Sequence, residues 1–157
     1  MIVVNFANRQ RKLPLPENTK DLVISAIEAS LNTECFDDNA EVNVTFVSDS
    51  KIKEINREFR NINKSTDVLS FPLGFDGEYD VNPENDCLML GDVIISVDHA
   101  LAQADLFGHG IEREIAYLTV HSMFHLLGYD HIDEAEEKRI MRAKEEAALS
   151  KIGLQII

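Results

Sequence analysis

The spacing of apolar residues changes several times along the chain, and each change marks an element. "IVVNF" (2–6) is a short apolar run that reads as a strand. Over 16–32, Leu22, Ile24, Ala26, Ile27 and Leu31 recur near helical spacing, and Pro16 and Glu17 suit the first turn. Residues 41–48 alternate, with Val42, Val44 and Phe46 set against Asn43, Thr45 and Val47, as in a half-buried strand. Helical spacing returns over 48–60, where Ile52, Ile55 and Phe59 share a face and Ser48 or Asp49 caps the start. Residues 65–72 predict a strand stopped by Pro72, 74–87 a loop or hairpin tip, and 87–97 the most strongly marked strand. Three helices follow, over 98–108, 110–128 and 133–149. Gly108 and Gly128 close the first two, and Asp133 and Glu136 have capping-box spacing at the start of the third. Strands come mainly first and helices mainly last. This order predicts an α+β fold over residues 1–157, one domain with a small mixed β-sheet and helices packed on it.

Composition narrows the class. The chain has 157 residues, 45% apolar and 27% charged, as expected of a globular domain with a full core. No apolar run approaches the roughly 18 residues of a membrane span. The basic residues of "MIVVNFANRQRK" follow its apolar run, which is the reverse of a secretion signal. A cytoplasmic protein with no membrane association is expected. Cys35 and Cys87 lie far apart and outside any C-x-x-C pattern, so they read as reduced thiols.

The net charge of −13 argues against non-specific nucleic-acid binding. Its distribution is uneven. Lys51, Lys53, Arg57, Arg60 and Lys64 face Glu54 and Glu58 within 51–64, a local excess of three positive charges. Residues 74–87 hold Asp76, Glu78, Asp80, Glu84 and Asp86 with no basic residue, yet Val81 stands where a calcium-binding EF-hand loop needs glycine.

The candidate chemistry lies in "VHSMFHLLGYDH" (120–131). His121 and His125 are four apart, so on a helix both imidazoles can reach one ion. Gly128 can end that helix in a left-handed turn and carry His131 back beneath them. Three neutral imidazoles and one open position hold catalytic zinc, so one Zn2+ is expected on the helix and the turn after it. The spacing is also that of a zinc-protease signature, but Ser122 occupies the position of that signature's glutamate base. Serine has no accessible negative form near neutral pH, so peptide hydrolysis loses its main support. His99 and His109 match no ligand spacing and read as surface or loop residues.

These residues resemble a known family. "HSMFHLLGYDH" resembles the H-G-x-L-H-L-x-G-Y-D-H signature of the YbeY-type endoribonucleases, the bacterial rRNA maturation factors. "FRNINKSTDVLSFP" (59–72) resembles that family's arginine followed by T-[DN]-V-L-S-F-P, and "LGDVIIS" (90–96) its G-D-[IV]-x-I-S strand. The likeness runs from about residue 40 to 145. It implies that His121, His125 and His131 bind zinc and that Arg60 is the catalytic, substrate-facing arginine. It implies a single-strand-specific endoribonuclease acting in 16S rRNA 3′-end maturation and ribosome quality control, with the small ribosomal subunit as partner. Two positions depart from the signature, Ser122 for glycine and Phe124 for leucine. A buried serine can bond the carbonyl four residues back, so only the shape of the pocket floor is at issue.

The chemistry of the residues agrees with this reading. A guanidinium offers a planar fork of donors for phosphate oxygens, and opposite a zinc ion it completes a two-sided cation clamp. The basic stretch 51–64 then reads as part of an RNA track. The nucleophile, water or the RNA 2′-OH, stays open. Ser70 reads as a turn residue that could line the cleft. Glu114 reads as solvated, with contact to an imidazole N–H as its other role, and Asp130 has the same possible role beside His131. Two other functions fit the motif: a non-enzymatic ribosome assembly factor with a structural zinc, and a zinc metalloprotease with its base elsewhere. The oligomeric state is open, and the apolar tail "IGLQII" (152–157) is expected on the protein's own sheet or on a second copy.

Overall fold

The computed structural model describes residues 1–74, 77–129 and 135–154. Four strands, β1 (Ile2–Asn8), β2 (Ala40–Val47), β3 (Val68–Pro72) and β4 (Leu88–Ser96), form one sheet in the order β1-β2-β4-β3. β1, β2 and β4 run parallel, and β3 lies antiparallel on the edge beside β4. Parallel neighbours need a crossover, and α1 (Thr19–Thr33) supplies it between β1 and β2. The expected mixed sheet with helices on it is what forms. The edge position of β3 tolerates Pro72, which cannot donate to a ladder.

Alternation in β2 decides which face is covered. Ala40, Val42, Val44 and Phe46 are wholly buried against Val23, Ile27 and Leu31 of α1 and Leu118 and Met123 of α4 (Ile111–Leu126). The opposite face is mostly polar, with Asn43 donating to Asp92 and Asn5 donating to Glu41 and Asn43. One end of it is roofed by α2 (Asp49–Arg60), where Ile52 packs on Val47 and Leu69. Val47 is therefore buried although it falls on the polar face.

α4 is buried nearly all round, as an interior helix must be. One side faces the sheet through Ile115, Leu118, Met123 and Leu126. The other meets α1 and α5 (Ala135–Lys151) through Ala116, Val120 and Phe124, with Met141, Ala148 and Leu149 from α5. Burial of each such large side chain stabilises the fold by about 2 kcal/mol. α3 (Val97–Phe107) follows β4 directly, with Ser96 as its cap, accepting from His99 N at 3.2 Å.

Several expected boundaries move by a few residues. α1 begins at Thr19, because Pro16 lies in a preceding turn whose carbonyl accepts from both the Thr19 amide and its hydroxyl. β3 begins at Val68, because the Asp67 carboxylate accepts the Val68 amide at 2.8 Å. Ser48, not Asp49, caps α2. Gly108 caps α3 in the left-handed region as expected. The Asp133 cap lies outside the described residues. Ile152 and Leu154 pack on the α1–α4–α5 cluster and not on the sheet; residues 155–157 lie outside the described part.

Gly91 in β4 has φ of +148°, and a Cβ there would stand 2.4 Å from the Phe71 carbonyl oxygen and 2.8 Å from Leu126 Cδ2. The glycine of "LGD" thus lets β3 and the end of α4 approach across β4. Among the described residues, no helix is long and apolar enough to cross a membrane.

Candidate functional site

α4 buries three of its sides, and His121 and His125 occupy the remaining stripe, half-buried and one turn apart. Their rings meet edge to face with centroids 4.7 Å apart, and the two Nε2 atoms stand 3.2 Å from each other. Two imidazole nitrogens bound to one tetrahedral zinc, each about 2.05 Å from it, would be separated by about 3.3 Å. The separation of the pair therefore matches that of two ligands of a single ion. Gly128 has φ of +105°, and the Tyr129 amide reaches back to the Phe124 carbonyl at 2.9 Å, so the helix ends where the sequence places its end. His131, the third expected ligand, and Asp130 lie outside the described residues. Among the described residues, no three His, Cys, Asp or Glu side chains converge tightly enough to hold a metal.

The other ring nitrogen of His121 is taken by a residue that sequence reasoning missed. Glu145 Oε2 lies 2.5 Å from His121 Nδ1, and Glu145 is only 6% exposed. The contact defines a tautomer: Nδ1–H donates to the carboxylate, and the Nε2 lone pair turns toward His125. A signal existed in the chain. Met141, Glu145, Ala148 and Leu149 form the buried face of α5, so a carboxylate interrupts an apolar stripe. Tyr117 lies one turn before His121, with ring centroids 5.7 Å apart, and burial and then the Glu145 charge push its hydroxyl up to about 12.

His121 and His125 open into a cleft of about 950 Å³ that Arg60, Ser70, Tyr79 and Tyr129 also line. Arg60, the last residue of α2, is exposed. The fold thus brings together a cation and two imidazoles that are more than sixty residues apart in the chain. Ser70 lies within β3 instead of a turn, and its hydroxyl is 2.5 Å from that of Ser122. Ser122, wholly buried, therefore finds its partner across on the sheet. Tyr79, from the acidic connection between β3 and β4, donates its hydroxyl to the Leu126 carbonyl at 2.5 Å and satisfies an orphan group at the end of α4. Burial raises the pKa of that hydroxyl.

Glu114 is corrected on both counts. It is 2% exposed, not solvated, and it pairs with His109 at 3.2 Å instead of His121. Seven residues along a helix are about 10.5 Å, too far to reach the His121 ring directly. Burial raises its carboxyl pKa, and the His109 charge opposes that rise. His99 is only half-exposed and lies 2.5 Å from Asp49. Both histidines outside the motif are therefore paired with carboxylates rather than standing alone on the surface.

A family model described as endoribonuclease YbeY matches residues 5–153. This chain belongs to that family. It is 43% identical over 153 residues to the endoribonuclease YbeY of Finegoldia magna, covering 98% of this chain and 95% of that relative. It is 46% identical to the endoribonuclease YbeY of Caldanaerobacter subterraneus subsp. tengcongensis, covering 94% and 96%. For that of Clostridioides difficile, identity is 44% and coverage 94% of each chain. The YbeY-family fold described above is also similar to the solution structure of TM1509 from Thermotoga maritima. The TM-score is 0.56 at 24% identity, over 96% of this chain and 91% of that one.

Proposed function

We propose that this chain is a zinc-dependent endoribonuclease that cuts single-stranded rRNA in the cytoplasm. Its work is 16S rRNA 3′-end maturation and ribosome quality control, with the small ribosomal subunit as partner. One observation carries the reading. Two imidazole Nε2 atoms 3.2 Å apart share a cleft with an exposed arginine. His121 and His125 would hold the ion, with His131 as third ligand. When bound, zinc supplies Lewis acidity and lowers the pKa of a coordinated water. Arg60 binds the non-bridging oxygens of the scissile phosphate and opposes the charge that grows there. Glu145 keeps the His121 ring in one orientation. It approaches the nitrogen that faces away from His125, so it does not stand in for the base that Ser122 replaces.

The test measures bound metal and cleavage of single-stranded RNA by the wild type, His121→Ala and Arg60→Ala. Cleavage is expected to vanish in the first variant and to fall about 10²- to 10³-fold in the second, with Arg60→Lys in between. Equal cleavage by all the proteins would mean a contaminating nuclease and end the proposal. Turnover of casein by the metal-loaded wild type would favour a protease instead.

A further inference from the structure

The apolar stripe of α2 does not end where its cover ends. Ile52 is wholly buried and Ile55 half-buried, but Phe59, next on the same stripe, is 68% exposed. It rests edge-on against Phe71 of β3, with centroids 5.9 Å apart at 63°. Phe71 alternates along β3 with Ser70 and Pro72, which line the histidine cleft. The aromatic pair therefore lies on the other side of the edge strand, and Arg60 follows Phe59 directly. Lys53, Arg57 and Lys64 belong to the same helix and the turn after it. Asn56 holds that turn against the helix by donating to the Lys64 carbonyl at 2.9 Å.

We infer that Phe59, backed by Phe71, is a stacking platform for one nucleobase of a single-stranded RNA, on a nucleotide that flanks the scissile bond. The inference rests on the ribonuclease reading above and adds a second contact to it. An exposed aromatic ring among cations is how proteins hold single strands without reading sequence: the ring takes a base face and the cations take the backbone. Charge complementarity favours this occupant. The 51–64 segment is positive by three in a chain that is negative by thirteen, so a polyanion is drawn here and repelled elsewhere. A strand leaving the cleft past Arg60 turns round a single edge strand to reach the ring. Because the platform lies outside the cleft, it contributes to substrate binding and not to the chemical step.

The chain has no tryptophan, so Phe59→Trp installs a single indole that can be excited selectively over the three tyrosines. The probes are a twelve-nucleotide oligoadenylate RNA and an abasic oligomer of equal length and charge, with fluorescence read at once after mixing. Saturable quenching by the oligoadenylate and little by the abasic strand is expected. Phe59→Ala should raise KM for single-stranded RNA about five- to hundredfold with kcat nearly unchanged, and Phe59→Trp should restore it. The exposure of Phe59 makes misfolding of these variants a small concern, and a thermal melt checks it. Cleavage by the wild type with no base-dependent quenching and an unchanged KM in Phe59→Ala overturns the platform and leaves the ribonuclease reading intact. Base-dependent quenching without any cleavage does the reverse. A Phe59→Ala protein that binds oligoadenylate normally but no longer joins small ribosomal subunits would reassign the ring to a protein contact and overturn the inference.

Discussion

The carboxylate of Glu145 lies 2.5 Å from Nδ1 of His121, although the two residues sit on different helices and 24 positions apart. This contact holds the imidazole in the tautomer whose Nε2 carries the lone pair that a metal would take. Glu145→Ala should lower zinc affinity about 10- to 100-fold, and Glu145→Gln, which keeps an oxygen acceptor, should lower it less. Competition against a chromogenic chelator measures the affinity, and a thermal melt reports the fold. Unchanged affinity in both variants would remove the orienting role.

Ser70 and Ser122 join β3 to α4 through hydroxyls 2.5 Å apart, in a place where Ser122 has no access to water. Ser70→Ala should destabilise the protein by about 1–2 kcal/mol, because the buried hydroxyl of Ser122 loses its partner on the strand. Removing both hydroxyls should cost less than the sum of the single changes. Urea denaturation of the four proteins completes the cycle, and strictly additive losses would show that the pair is not coupled.

Gly91→Ala tests how closely the sheet and α4 approach. The added methyl would meet the Phe71 carbonyl at 2.4 Å in a backbone conformation that side chains rarely adopt. A loss of about 3 kcal/mol or more is expected in equilibrium unfolding. A change within about 1 kcal/mol would mean that β3 shifts freely, contrary to the ladder that it shares with β4.

The buried carboxyl of Glu114 sets a pH dependence. Burial raises its pKa above the ordinary 4.5; His109 and Arg113 oppose the rise and Asp67 adds to it. The folded state therefore holds the proton more tightly than the unfolded chain. The stability that this gives is fully present below the unfolded value and is lost as pH rises through the folded value. Glu114→Gln should flatten this trend, so its melting temperature should gain on the wild type between about pH 4 and pH 7. Parallel curves for the two proteins over that range would contradict it.

Much of the fold was legible because periodicity is local. The alternation of Val42, Val44 and Phe46 marks β2, and the i, i+4 spacing of His121 and His125 places both rings on one stripe of α4 whatever that helix packs against. Glycine conformation is local too, which is why the helix ends at Gly108 and Gly128 were readable. Glu114 was misjudged for a definite reason. A helical wheel ranks residues by angle, and it shows neither the two turns of rise to His121 nor that His109 would fold back onto it.

The sequence by itself determined the elements, the histidine spacing, the absence of the protease glutamate and the arginine ahead of "TDVLSFP". Only the tertiary structure decided what lies behind each of them. Helix α5 must pack on α4 before Glu145 can meet His121, and β3 must pair at the sheet edge before Ser70 can meet Ser122 and Arg60 can share a cleft with the imidazoles. Such contacts depend on how buried faces pack together, and a one-dimensional pattern specifies which face is buried but not which neighbour will cover it.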